Sequence, residues 1–272
     1  MPRPSTPGWI SSVAWKIRLP LLAAVQSGLV TEAAITTSAE RILAQKFALG
    51  LFENPYVDTQ AAVALVGKAE FQQEAQAAQA ASHVLLKNEG SLLPLKADGK
   101  RVYLHNVNAE VARANGYTVV TNLADAELAI VRVNAPGEQD PRFPFGSIHF
   151  GQLGFASADQ VVQETAHEGI YRGADEYAAI QAVAQAGVPM VLSVYLDRPA
   201  ILTEVAPAAQ VLLANFGALD QALFDVISGK VKASGKLPFE LPSSWQAVQN
   251  QHPDVAKDSA NPLYPYGAGL AY

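Results

Sequence analysis

The chain has 272 residues, 50% of them hydrophobic and 16% charged, which is enough apolar side chain for one or two globular domains with sizeable cores. Lys+Arg 19 against Asp+Glu 25 gives a formal net charge of −6 with no basic stripe, which argues against a nucleic-acid partner. Cysteine is absent, so disulfide and thiol chemistry are excluded, and no apolar run reaches the roughly 18 residues of a membrane-spanning helix.

In chain order, residues 1–20 carry Trp9, Ile10, Val13, Trp15 and Ile17 behind three early prolines that discourage regular structure. Lys16 and Arg18 precede a short apolar run, Leu19–Val25, which faintly resembles the charged and apolar parts of a signal peptide. Gln26 interrupts that run, and a helix behind an irregular start is the favoured reading. A cytoplasmic location is expected, with secretion as the alternative. Further on, Ile35, Ile42, Leu43 and Phe47 fall at helical spacing and form one apolar stripe. Gly50 suits the left-handed residue that closes a helix, and Asn54-Pro55 excludes further helix. An Ala/Gln-rich run predicts a second helix over 67–86, followed by turn chemistry at Asn88-Glu89-Gly90.

From Lys100 strands alternate with helices. Strands are expected at 101–105, 117–120, 128–133, 188–195 and 210–214, and helices at 107–115, 174–185, 199–205 and 219–228. Short apolar strands separated by helices imply a mostly parallel sheet covered on both faces, an α/β fold built as a three-layer α/β/α sandwich. The expected organisation is a helical N-terminal segment over 1–60, a linker helix and loop over 61–98, and the sandwich over 99–272.

The loop after strand 128–133 begins Asn134-Ala135-Pro136-Gly137-Glu138-Gln139-Asp140 and continues past Phe143, Phe145, His149 and Phe150. Loops beyond the carboxyl ends of parallel strands are where open sheets place ligands. Glu138 and Asp140 are the nearby carboxylates and the aromatic groups suit the flat face of a ligand, while a solvated Gly/Pro loop with an acidic tip is the favoured reading of these residues alone. Asp197-Arg198, at the end of strand 188–195, either touches a ligand or forms a local pair that fixes the turn. The five histidines show no metal-ligand spacing, and neither a G-x-S-x-G elbow nor a phosphate-binding glycine loop is present, so no cofactor or metal is expected.

Two phrases carry more than local structure. Arg41–Asp58 reads RILAQKFALGLFENPYVD, and Ser82–Leu95 reads SHVLLKNEGSLLPL. In this order they resemble the phrases by which family 3 glycoside hydrolases leave their catalytic (β/α)8 barrel and enter their second domain. Asp197-Arg198-Pro199, the run ASGKLPFELP over 233–242 and the run PLYPYGAGL over 262–270 resemble later motifs of the same family, with Ala233 where proline is usual. The resemblance implies β-glucosidase- or β-N-acetylhexosaminidase-like chemistry on carbohydrate. Such a barrel takes about 250 residues, so the stretch before residue 60 is expected to hold only its last helices. Retaining hydrolysis needs two carboxyl groups about 5–5.5 Å apart. The family's nucleophile is an Asp followed by Trp, whereas Trp9, Trp15 and Trp245 here follow Gly8, Ala14 and Ser244. The resemblance therefore implies no independent turnover, with Glu138 as a candidate acid/base, Asp140 as its alternative, and Asp197, Arg198 and His149 as candidate sugar contacts. A non-catalytic sugar-binding or oligomerising module is the competing expectation. The expected partners are carbohydrate and either a second copy of the chain or a barrel-bearing chain, and neither nucleic acid nor membrane.

Overall fold

The computed structural model describes residues 20–139, 149–150, 153–157, 170–252, 254–255 and 257–272. The expectations for residues 1–19 and for Asp140 lie outside these. The chain divides into two units, Met1–Lys68 and Ala69–Tyr272.

In the first unit, α1 spans Glu32–Ala48 and α2 spans Thr59–Leu65. Thr31 opens α1 by accepting the Ala34 amide on its hydroxyl, satisfying one of the orphan N–H groups of the first turn. The helix closes as the sequence predicts. Gly50 adopts φ 67°, its amide donates to Phe47 O at 2.9 Å, and the Leu51 amide reaches back to Lys46 O at 3.1 Å. Asp58 caps α2 through the Gln60 and Ala61 amides. Neither helix buries a residue, and the α1 stripe is open: Ile42 is 60% exposed and Phe47 59%.

The second unit begins with α3 (Ala69–Ala81), which is shorter than the expected 67–86 helix. Val84–Asn88 instead forms strand β1. β2 (Arg101–His105), α4 (Ala109–Ala114), β3 (Thr118–Val120) and β4 (Leu128–Asn134) follow. Three short strands come next, β5 (Gly137–Gln139), β6 (His149–Phe150) and β7 (Ile170–Arg172). Then come α5 (Ala174–Gln185), β8 (Met190–Tyr195), β9 (Val211–Asn215), α6 (Asp220–Ile227) and α7 (Trp245–Gln249). The main sheet has the order β1-β9-β8-β4-β2-β3; β1 pairs antiparallel with β9, and every other neighbour is parallel. The expected helix over 199–205 is absent. Ile201 bridges to Gly154, and only a single 3-10 turn forms, at Ala206–Ala208.

Strand alternation separates two cores. Along β4, Ala129, Val131 and Val133 face one layer with Ile180 and Val183 of α5, while Leu128 and Ile130 face the other with Leu223, Phe224 and Ile227 of α6. The strands are apolar on both faces because helices cover both. α3 buries little apolar surface but is tied to α6 by polar groups: Gln76 Nε2 donates to Asp225 Oδ2 at 2.7 Å, and Gln79 Oε1 accepts the Leu219 amide at 2.8 Å. Burial pushes the Asp225 carboxyl up, but donors from Lys230, Gln221 and Gln76 outweigh it and hold the group below the usual carboxylate range.

The segment Ala233–Tyr272 wraps the sheet edge. The Leu270 amide donates to Leu85 O at 2.7 Å, so residue 270 pairs with β1 on the side away from β9. Gly235 explains its place in the SGKLP run, since a Cβ there would lie 2.5 Å from His83 O. The Tyr272 hydroxyl donates to Val226 O.

Candidate functional site

The parallel register carries β4 and β8 to a common end, with Asn134 opposite Tyr195. Both exits are fixed by backbone bonds: the Ala135 amide donates to Tyr195 O at 2.8 Å and the Leu196 amide to Asn215 O at 2.9 Å. The β8 exit then presents Asp197, exposed, and Arg198, partly buried. The Arg198 Nη2 donates to Pro136 O at 3.0 Å. The guanidinium thus grips the carbonyl two residues before Glu138, joining the two strand exits.

Glu138 lies on a strand rather than in an open loop. β5 is the middle strand of the order β6-β5-β7, with Glu138 opposite Phe150 on one side and Tyr171 on the other. Gln139 is opposite His149. The structure therefore brings the backbones of Glu138 and His149 onto adjacent strands and ties the root of β5 to Arg198. Asp197 shares Arg198's turn. Beyond β6, Leu153 O accepts the Ile201 amide at 3.0 Å, which ties that segment to the chain after the β8 exit.

A second polar cluster, not anticipated from the sequence, stiffens the same edge. Arg132 Nη1 meets Asp220 Oδ1 at 2.7 Å, its Nη2 donates to Ala218 O, and Asp220 Oδ2 accepts the Asn108 amide at 2.8 Å. The cluster fixes the turn between β9 and α6. Its signal was a single arginine inside the apolar run LAIVRV, a charge that demands a partner when its strand is central. Next to it, Asn215 Nδ2 donates to Ser193 Oγ at 3.0 Å within the sheet. Among the described residues no group of three potential metal ligands occurs, and no helix is long and apolar enough to cross a membrane.

A mostly parallel sheet between two helical layers, with connecting segments gathered beyond the carboxyl ends of β4, β8 and β9, defines an open α/β sandwich, and open sheets of this kind place ligands at that end. Residues 83–272 match the family model of the glycosyl hydrolase family 3 C-terminal domain, and the chain belongs to that family. It is 43% identical over 255 residues to a periplasmic β-glucosidase/β-xylosidase of Dickeya chrysanthemi, covering 93% of this chain and 36% of that protein. It is 36% identical over 250 residues to a probable β-glucosidase C of Aspergillus oryzae, covering 91% and 36%. The chain therefore spans about a third of the length of these relatives. Among solved structures, a β-glucosidase from Listeria innocua superposes with a TM-score of 0.64 at 19% identity over 93% of this chain and 41% of that one, a likeness of fold.

Proposed function

We propose that this chain provides the sandwich half of a β-glycoside hydrolase, acts on β-linked glucosides or xylosides only together with a catalytic barrel, and gives no turnover by itself. The observation that carries this reading is the family match over 83–272 in a sequence with no Asp-Trp pair, the sequence in which the family's resemblance places the nucleophile. The names of the relatives, β-glucosidase and β-xylosidase, support the substrate class. In this reading Glu138 on β5 is the acid/base that protonates the leaving oxygen, with Asp140 as the alternative. Arg198 and Asp197 at the β8 exit and His149 on β6 contact the sugar. A lone acid has no retaining route, because retention needs a second carboxylate about 5–5.5 Å away.

The open stripe of α1 and the turn after it support a barrel-bearing partner, covalently joined or separate, since Ile42, Phe47 and Phe52 are each more than half exposed. The test is hydrolysis of aryl β-glucosides and β-xylosides by the pure chain at high concentration. No release above the uncatalysed rate is expected. Robust turnover with a carboxylate of this chain trapped as a covalent sugar adduct overturns the reading.

A further inference from the structure

Within the second unit a cavity of about 500 Å³ opens beyond the β8 exit, in the size range of small-molecule sites. It shares Arg198 with the edge already described, but the segment 238–266 builds most of its wall. We propose that this cavity is a pyranose subsite belonging to the sandwich alone, which holds a neutral sugar without any barrel residue. The proposal takes the class of ligand from the preceding section; the location and the chemistry come from the cavity.

The apolar part of the wall includes Phe239, Pro199 and Pro238. Phe239 is braced edge-on by Phe216, with ring centroids 6.0 Å apart. Around it stand Glu240, Gln251, His252 and Lys257. Three of these are fixed from behind. Glu240 Oε2 accepts the Ser259 amide at 3.1 Å, which holds the carboxylate and leaves its other oxygen to a ligand. Asp258 Oδ2 accepts the His252 amide at 2.8 Å and lies 3.1 Å from Nδ1, so Nε2 is the ring nitrogen open to a ligand. The Lys257 ammonium stands 3.6 Å from the centroid of the Tyr266 ring, held by the ring's negative face.

Acceptors and donors thus stand together beside an apolar patch. A pyranose has the matching surface, one face of C–H groups and a rim of hydroxyls that each donate and accept. A hydrocarbon covering the half-buried Glu240 and Gln251 would offer their polar atoms no partner, and neither sign of net charge is matched, since Glu240 stands with Arg198 and Lys257. A pre-fixed rim also lowers the ordering cost of binding.

The experiment is an NMR titration of the full chain with methyl β-D-glucopyranoside and methyl β-D-xylopyranoside, with methyl β-D-glucuronide as the anionic arm. Saturable shifts confined to the segments around 198–199 and 238–266 are expected, with a dissociation constant on the order of millimolar for so small a ligand. Glu240→Ala and, as an independent second variant, Lys257→Met are each expected to weaken binding about tenfold by removing one hydrogen-bonding partner. No saturable shift up to about 100 mM overturns the proposal, being far weaker than expected for a formed site. So do shifts that both folded variants leave unchanged, or a glucuronide that binds tenfold more tightly than the neutral sugars. Binding is read without turnover. Catalysis by the chain alone would overturn its dependence on a barrel and leave the sugar subsite standing, and an empty titration would do the reverse.

Discussion

The two units use apolar side chains in opposite ways. In the first, helices α1 and α2 carry Ile42, Leu43, Phe47 and Val63, yet no residue of either helix is buried. In the second, β4, β8 and β9 bury nearly every side chain, and Phe224 on α6 is 1% exposed. Local signals, the Thr31 cap and the Gly50 close, define the first unit's helices, while long-range pairing defines the second unit's sheet. An amphipathic pattern alone therefore specifies a helix but not what covers it.

Matched substitutions test this contrast. The largest effect is expected from Phe224→Ala, which should cost the second unit about 4 kcal/mol in chemical denaturation through lost burial and a residual cavity. Phe47→Ala, at a 59% exposed ring, should cost under about 0.5 kcal/mol. Equal costs would break the comparison. Gly235→Ala comes next, at about 3 kcal/mol, because its new Cβ meets backbone at His83 that cannot swing aside. Gly50→Ala meets nothing within 4 Å and should cost only the roughly 1 kcal/mol of a left-handed alanine.

A smaller effect is tied to pH. Burial lowers the pKa of His83, against hydrogen bonding to the Gln79 and Ala80 backbone, so the folded state prefers the neutral ring. Its folded pKa lies below its unfolded one. The unfolded chain therefore takes up the proton first, and stability present above about pH 6.5 is lost as pH falls through that value toward the folded pKa. Denaturation at stepped pH should show this slope, at most about 1.4 kcal/mol per pH unit, and His83→Gln should flatten it. An unchanged slope in the variant would assign the effect elsewhere. The last effect is a gain. The Tyr117 hydroxyl is buried without a hydrogen-bond partner, and burial pushes its pKa up to about 12. Tyr117→Phe keeps the contact with Phe224, at 5.6 Å between ring centroids, and should stabilise the second unit by about 1 kcal/mol. A loss of that size would show that the hydroxyl is not stranded.

Much of the sheet was legible in the sequence. β2, β4, β8 and β9 lie within apolar runs too short for helices and bounded by turn residues, and α5 and α6 carry their apolar spacing openly. β1 was not legible. Val84, Leu85 and Leu86 follow an Ala/Gln helix without a breaker, and leucine extends a helix readily; pairing with β9 overrides that preference. The expected 199–205 helix failed for a similar reason, since Ile201 is taken by its bridge to Gly154. α7 has a local signal in Ser244, whose hydroxyl accepts the Ala247 amide at 3.1 Å. At the candidate site, the residue types at the strand ends could be read, but the neighbourhood could not. The antiparallel match of Gln139 with His149 and the grip of Arg198 on Pro136 arise from strands three residues long or shorter and from a backbone carbonyl, neither of which leaves a sequence pattern.

The seam between β1 and β9 has a temporal consequence. Val84 is synthesised before Ala214 and must wait for it, and Leu85 must wait again for Leu270, before the strand's backbone groups are paired on both sides. On a ribosome, an apolar strand would stand open while most of the sandwich is still being made, the exposure that favours mispairing between neighbouring nascent chains. Closure of this sheet is then a late event, completed only once residue 270 has emerged from the exit tunnel.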